Sequence, residues 1–389
     1  MLEQKTIQKN VIPVCKNCIL YSFAGIEVNS EGVCNFCADS TSKLPIWEKV
    51  IITKKDREKA LKDWQSVVGD MKKNHGKQKY DCVLGWSGGK DSTSFLHYLV
   101  KELGLNPLAV SVDPGTMSDI ARENVAKTLH KIKVDHVLLD CAKETFLRFF
   151  RWMTLEFDSN ELGPAGEQCR YCGYLLHGLI VKEAMIRDIP YVFLAYSPDQ
   201  IHFYFYEIPR EEIVNKWGPE SDKFSTQEDA ERYIAPMNLN AEDLPRVLLP
   251  YHVLPYKEDK VIELVEDKGY VEKGNADPLK TNCYALSAAM FYEANRFGGV
   301  CYAVQPAELV RQDPTLRKKW LLTVKRFTRT VYDGDFNREK VDQFYKMIGT
   351  SREEVSRRIK ERIEKDPNKN TILANIKWIE SKRRGFTTL

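Results

Sequence analysis

Nowhere in its 389 residues does the chain carry a run approaching the ~20 apolar residues of a membrane-spanning helix. Its opening stretch, Met1 to Asn10, is polar and lacks the apolar centre of a secretory leader. No membrane contact is therefore expected, and the chain is expected to remain cytoplasmic. It also lacks a dominant charge. Against 58 Lys and Arg stand 55 Asp and Glu, for a net charge of +3, which neither demands nor excludes a nucleic-acid partner. Lys382-Arg383-Arg384 is a small basic run and reads as a solvated helix end. Internal repeats and low-complexity tracts are absent.

What is present is a sizeable apolar fraction, 43%, and ten cysteines. Cytoplasmic thiols are kept reduced, so disulfides do not account for them. Six of the ten fall in Cys-x-x-Cys pairs, which points to metal. The length suggests two or three folding units.

Residues 10–42 form a small cysteine-bearing module and residues 43–77 a helical connector, with apolar side chains at near-helical spacing from Asp56 to Met71. From Tyr80 the pattern changes. Short apolar runs, Asp81 to Trp86, Leu108 to Val112, His136 to Leu139 and Tyr191 to Ala195, alternate with helical segments at Ser92 to Glu102, Asp119 to Lys131 and Tyr174 to Ile186. Such alternation predicts an α/β fold with a parallel, Rossmann-like sheet, whose ligands lie beyond the carboxyl ends of the strands. This domain is assigned to 78–300, with a charged, proline-bearing insertion over 204–245 that could cover the site. Residues 258–268 and 284–296 read as helices. The region 301–389 is expected to be helical, with a helix start at Ser351-Arg352-Glu353-Glu354.

Ser87-Gly88-Gly89-Lys90-Asp91-Ser92 follows the first strand and opens a helix. Two glycines let the backbone approach an anion closely, and the free amides and dipole of a helix start favour phosphate. Ser87, Ser92 and Thr93 offer hydroxyls, and Lys90 a point charge. The glycine spacing differs from the G-x-x-x-x-G-K-[ST] loop. This hexapeptide after an apolar strand resembles the PP-loop of the adenine-nucleotide alpha-hydrolase (HUP-type) ATP pyrophosphatases. That resemblance implies ATP held by its pyrophosphate end at Ser87 to Ser92, with Asp91 on Mg2+. It also implies an adenylated substrate and released pyrophosphate, and adenosine received at the end of the second strand, where Ser111 and Asp113 are candidate contacts.

Cys15-x-x-Cys18 and Cys34-x-x-Cys37 are separated by fifteen residues, the spacing of a four-thiolate zinc site. Four thiolates close a tetrahedral shell and leave no position for chemistry, so Zn2+ here is expected to be structural and to supply folding energy. The module, a zinc ribbon including Gly32-Val33-Cys34-Asn35, also resembles the start of the N-acetyl sugar amidotransferases of surface-polysaccharide synthesis, which carry a PP-loop too.

A second set consists of Cys169-Arg170-Tyr171-Cys172 before a helix and Cys283 far downstream. A PP-loop, then Cys-x-x-Cys, then one late cysteine resembles the iron–sulfur tRNA thiolases. The resemblance implies a 4Fe-4S cluster held by Cys169, Cys172 and Cys283, with one iron open to carry sulfide. A zinc-binding or merely buried Cys-x-x-Cys is the alternative, as are persulfides on Cys169 or Cys172. Those thiolases show Gly-His-x-x-Asp-Asp on the following strand; here the place reads Ala195-Tyr196-Ser197-Pro198-Asp199-Gln200. His177 is a further possible site residue, and Cys82, Cys141 and Cys301 are expected in the core.

The expected activity is adenylation of a substrate carbonyl oxygen followed by sulfur transfer, with Lys90, Asp91, Cys169, Cys172 and Cys283 as the catalytic set. The alternative is an amidotransferase that delivers ammonia to the same kind of adenylate. A non-catalytic nucleotide-binding subunit is a third reading. The acceptor stays open between tRNA and a small metabolite such as a sugar nucleotide. A sulfide or ammonia donor protein and a homodimeric partner are both possible.

Overall fold

Cys82-Val83-Leu84-Gly85 carries no charged side chain, so both faces of the strand it forms can be buried. In the computed structural model it is the interior strand β1 (Cys82–Gly85) of a six-stranded sheet. The structure describes residues 12–38, 43–44, 47–48, 53–157, 164–198, 204–215, 221–233, 241–277 and 283–382. Asp199 and Gln200, Arg383 and Arg384, and the residues just before Cys283 lie outside them. Two compact units separate. One comprises Lys49–Trp152 and Cys169–Tyr284; the other comprises Met1–Glu48, Met153–Gln168 and Ala285–Leu389.

Through the first unit, with the end of α4 and the start of α5 assigned to the other, the chain runs through α1 (Lys54–Asn74), β1, α2 (Lys90–His97), β2 (Pro107–Val112), α3 (Asp119–Lys131), β3 (His136–Leu139), α4 (Lys143–Leu155) and α5 (Pro164–Met185). It continues through β4 (Tyr191–Leu194), β5 (Glu207–Ile208), β6 (Arg246–Leu248) and α6 (Glu258–Asp267). The strand order is β3-β2-β1-β4-β6-β5. All neighbours are parallel except β5, which runs antiparallel to β6. Val83 pairs with Leu108 on one side and Val192 on the other. From β1 the chain moves outward to β2 and β3, then returns to the opposite side of β1 as β4. The strand order therefore reverses at the carboxyl ends of β1 and β4, where open α/β sheets bind ligands.

The period-2 alternation of the strands builds two apolar layers. Cys82, Leu84, Ala109 and Phe193 face a layer with Trp64 and Met71 of α1 and Phe95 of α2, whereas Val83, Leu108, Val110 and Val192 face Ile180, Val181 and Ala184 of α5. Trp64 meets Phe193 edge-on at 5.4 Å. Helix α1 starts at a capping box, in which Thr53 Oγ1 accepts from the Asp56 amide at 3.2 Å and the Thr53 amide donates to Asp56 at 2.9 Å.

Two expectations change. The helix bearing Cys169 and Cys172 begins at Pro164, not near Tyr174, so this pair sits within α5. Its i, i+3 spacing puts both thiols on one helix face. Cys141 is exposed at a turn rather than in the core, whereas Cys82 and Cys301 are buried as expected. Part of the 204–245 segment joins the sheet as β5; residues 216–220 and 234–240 of that segment lie outside the described residues.

The second unit is helical: α7 (Tyr284–Phe297), α8 (Val304–Gln312), α9 (Arg317–Tyr332), α10 (Arg338–Met347), α11 (Arg352–Lys365) and α12 (Lys369–Glu380). Ser351 caps α11, its hydroxyl accepting from the Glu354 amide. The cysteine-bearing segment packs into this unit. Ile19, Leu20, Tyr21 and Phe23 share a core with Ala307, Val310, Val324 and Ile379, and the Tyr21 hydroxyl donates to the Gly298 carbonyl at 2.9 Å. No helix among the described residues is long and apolar enough to cross a membrane.

Candidate functional site

At the end of β1 the loop turns sharply. Gly88 has φ +75°, and a Cβ there would lie 2.5 Å from the Ala121 carbonyl oxygen and 2.9 Å from Val125, so glycine is required on both counts. Its carbonyl accepts from Asn124 Nδ2 at 3.1 Å, which pins the loop to α3. Gly89 is the N-cap of α2 and brings no side-chain acceptor to the first-turn amides. Those amides and the helix dipole make an anion-accepting end. The Ser87 and Ser92 hydroxyls lie 3.3 Å apart beside it, and Thr93 is turned inward to accept from the Trp86 indole at 3.0 Å.

Lys90 is 4% exposed. Its ammonium sits 2.8 Å from Asp91 Oδ2 and 3.3 Å from Glu258 Oε1. Burial works against the charge, but the two carboxylates outweigh it and hold the pKa above the ordinary lysine value. The Tyr256 hydroxyl donates to Asp91 Oδ1 at 2.7 Å and lies 3.4 Å from Lys90 Nζ. Tyr256 and Glu258 come from the start of α6, and sequence reasoning missed both. A carboxylate in the first turn of a helix is ordinary, and nothing in the sequence links it to a loop so far upstream.

Beyond β2, Asp113 is buried, accepts from the Gly115 amide at 2.8 Å and pairs with Arg122 at 2.6 Å. Ser111 is also buried; its hydroxyl donates to the Trp86 carbonyl at 2.6 Å and lies 2.9 Å from His136 Nε2. Both candidate adenosine contacts are thus engaged in holding the strand ends together. Thr116 Oγ1, just past the turn, is buried with no hydrogen-bond partner among the described residues.

The Thr116 carbonyl accepts from the Tyr284 amide at 2.9 Å, which ties the residue after Cys283 to the end of β2. Cys283 is half-buried, Cys172 buried and Cys169 exposed. Burial, then the proximity of Cys283 and of Cys169, pushes the Cys172 thiol well above its usual range. Cys169 and Cys283 thus lie near enough to Cys172 to influence it, although 110 positions of chain divide Cys172 from Cys283; among the described residues the first cysteine set alone has its ligand atoms gathered within 4.8 Å. The Tyr196 phenol, raised first by burial and then by Cys172 and Cys169, belongs to the same neighbourhood. It lies 2.7 Å from His177 Nε2. Burial lowers His177 to about 4, so its ring is neutral at pH 7.

The first cysteine set is different in kind. The ligand atoms of Cys15, Cys18, Cys34 and Cys37 all lie within 4.8 Å of one another. Cys18 and Cys34 sulfurs are 3.6 Å apart, close to the roughly 3.8 Å that tetrahedral zinc–sulfur bonds of ~2.3 Å require. The Cys34 amide donates to Cys15 Sγ at 3.3 Å and the Leu20 amide to Cys18 Sγ at 3.4 Å. Hydrogen bonds to Cys34 and Cys37, with burial, push Cys18 up; hydrogen bonds from Cys18 and Cys34, helped by Arg311, draw Cys37 down. Sulfurs so close share protons or a cation, and the donor set and spacing fit zinc.

No protein-family model matches the sequence. An uncharacterized protein of Methanocaldococcus jannaschii is 25% identical over 287 residues, spanning 73% of this chain and 83% of that protein. Among solved structures, the U34-tRNA thiolase NcsA of Methanococcus maripaludis, determined with its 4Fe-4S cluster, is similar at 12% identity and a TM-score of 0.33, over 68% of this chain and 79% of that one. Similarity at that score does not establish a common fold.

Proposed function

We propose that the chain is a PP-loop enzyme that adenylates a carbonyl oxygen of its acceptor with ATP, releases pyrophosphate, and replaces the activated oxygen with sulfur. The observation that carries this reading is the Gly88–Gly89 turn opening α2 with Lys90 buried beside it; in the same unit Cys169 and Cys172 share a face of α5, and the residue after Cys283 is bonded to the residue just beyond β2.

In this reading Ser87 to Ser92 grip the triphosphate of ATP through the α2 amides and the hydroxyls of Ser87 and Ser92. Lys90 exchanges its carboxylate partners for phosphate oxygens and stabilises the departing pyrophosphate. Asp91 turns from Lys90 to Mg2+. Ser111 and Asp113 shape the adenosine end. The acceptor oxygen bonds to the α-phosphorus as the bond to pyrophosphate breaks, and that oxygen later leaves on AMP. Cys169, Cys172 and Cys283 would hold a 4Fe-4S cluster, which supplies an iron without a protein ligand for sulfide. The exposed Cys169 leaves this set open to solvent on one side, as delivery of sulfide requires. Cys15, Cys18, Cys34 and Cys37 would hold a structural zinc. The domain assignment follows: a zinc ribbon at 10–42, the connector 43–77, the PP-loop domain 78–300 and a helical region 301–389. A cytoplasmic homodimer fed by a sulfide-donor protein is the corresponding assembly.

One observation favours the amidotransferase reading. Tyr196 stands where the thiolases place a histidine, and the nearby imidazole comes instead from His177 on α5. Ammonia would then attack the adenylate, and the three thiols would be structural. Turnover with sulfide against ammonia, after oxygen-free purification, separates the two. Sulfur incorporation that fails on replacing Cys283 supports sulfur transfer; amidation that survives the replacement supports the alternative. If wild-type protein releases no pyrophosphate with any acceptor, both fail and a non-catalytic nucleotide-binding subunit remains.

A further inference from the structure

Helix α9 begins Arg317-Lys318-Lys319 and carries Lys325, Arg326 and Arg329 further along, with no Asp or Glu anywhere between Arg317 and Tyr332. Three cations in the first turn stand at the positive end of the helix dipole, the end where carboxylates are stabilising. A helix needed only for packing gains nothing from that arrangement. The buried face is Trp320, Val324, Phe327 and Val331. Lys318, Leu322, Lys325 and Arg326 recur at helical spacing on the opposite face, where Leu322 is 49% exposed.

Of these cations Arg329 is paired, with Asp333 at 2.6 Å. Among the described residues, none of Arg317, Lys318, Lys319, Lys325, Arg326 and Lys382 pairs with a carboxylate. Lys325 is lowered by burial and by its like-charged neighbours Lys382 and Arg317. The side chains are nevertheless held. Lys325 and Lys382 each lie 5.0 Å from the centre of the Trp378 ring, and Lys319 lies 5.6 Å from that of Trp320. Arg317 donates to the carbonyls of Cys18 at 2.9 Å and Cys15 at 2.7 Å, fixing the start of α9 to the four-cysteine module.

We infer that this face of α9, extended by Lys382, is a docking surface for the phosphate backbone of a folded RNA. A row of lysines and arginines, with Lys319, Lys325 and Lys382 set against indole rings, supplies the counterion-releasing contacts that such a backbone takes. An anionic membrane would be met by the same charge, but the face offers Leu322 alone as an exposed large apolar side chain, too little to enter the acyl boundary. The inference deepens the reading above by naming the acceptor class, and its place in a reaction rests on that reading. The binding itself does not.

The test uses the full chain and an unmodified tRNA transcript, with affinity followed by fluorescence anisotropy from low to physiological salt. Wild-type protein should bind with a steep salt dependence. The triple variant Lys318→Glu, Lys325→Glu, Arg326→Glu should bind at least ~10-fold more weakly, and its log–log salt slope should be shallower by about two to three. Lys318→Gln, Lys325→Gln, Arg326→Gln keeps good helix formers and should lose affinity in the same direction, which guards against a folding defect. Unchanged tRNA affinity in both variants overturns the inference. So does wild-type protein that binds phosphatidylserine vesicles but not the tRNA. ATP binding is measured in parallel. Variants that lose RNA but keep ATP are the expected result, whereas a wild-type chain that binds RNA but no ATP sinks the adenylating reading and leaves this surface standing.

Discussion

The two cysteine sets differ in how the chain builds them. Cys15, Cys18, Cys34 and Cys37 come from one short segment, three of them buried and the fourth half-buried, with sulfurs already at metal-shell distances. Cys169, Cys172 and Cys283 come from distant segments and grade from exposed to buried. A closed four-thiol shell has no position left for a substrate, whereas a three-thiol set, one of its members exposed, would leave room for a fourth ligand. The same residue type serves as a fastener in one unit and, in our reading, as chemistry in the other.

Replacing one cysteine in each set is the sharpest way to break that contrast. Structural zinc is worth on the order of 10 kcal/mol in small modules. Cys34→Ser should therefore release the metal and open the N-terminal segment to limited proteolysis, followed by zinc content and cleavage pattern. Cys283→Ser should abolish sulfur transfer while moving the thermal midpoint by no more than about 2–4 °C, the equivalent of ~1 kcal/mol. If the two variants behave alike, the distinction falls.

Within the nucleotide loop the expected effects are smaller. Gly88→Ala forces a side chain into a left-handed backbone, at ~1–2 kcal/mol, and onto the Ala121 carbonyl. ATP affinity measured by calorimetry should drop about tenfold or more. Glu258→Gln removes one competitor for Lys90. Because Glu258 is half-exposed, its pairing is worth only ~0.5–1 kcal/mol, and ATP should bind a few-fold more tightly.

The smallest effect concerns acid. His252 is buried, its Nδ1 lies 2.5 Å from the Phe205 carbonyl, and burial lowers it to about 4. His177 is lowered to about 4 as well. A histidine depressed on folding takes up its proton first in the unfolded chain, so the stability it secures is complete above about pH 6.5 and is lost as pH falls towards 4. Urea titrations across that window should show falling stability, and His252→Gln should flatten the fall.

Much of the sheet was legible because its parallel strands leave apolar runs, even at the partly buried edge strand β3, where Leu138 is 49% exposed. His136 to Leu139 matches β3, and Leu108 to Val112 falls within β2. The loop was legible because Gly88 and Gly89 stand between a strand and a helix. The start of α5 was not. Pro164 and Gly166 look like loop residues, and the helix they open carries Cys169 and Cys172 within its body. Tyr256 and Glu258 were invisible for another reason. Each acts through a contact made by folding, and a lone tyrosine or first-turn glutamate has no spacing signature. Cys141 misled because an apolar neighbourhood in sequence lies at an exposed turn in space.

The central claim is that the three-thiol set carries an iron–sulfur group and the four-thiol set a zinc ion. Metal analysis of the full chain purified without oxygen, for wild type and for the Cys169→Ser, Cys172→Ser, Cys283→Ser variant, tests it directly. The account predicts zinc and iron together in the wild type, with iron and its visible absorbance lost from the variant and zinc retained. Wild-type protein that contains zinc but no iron, or a variant that keeps its iron, would contradict it.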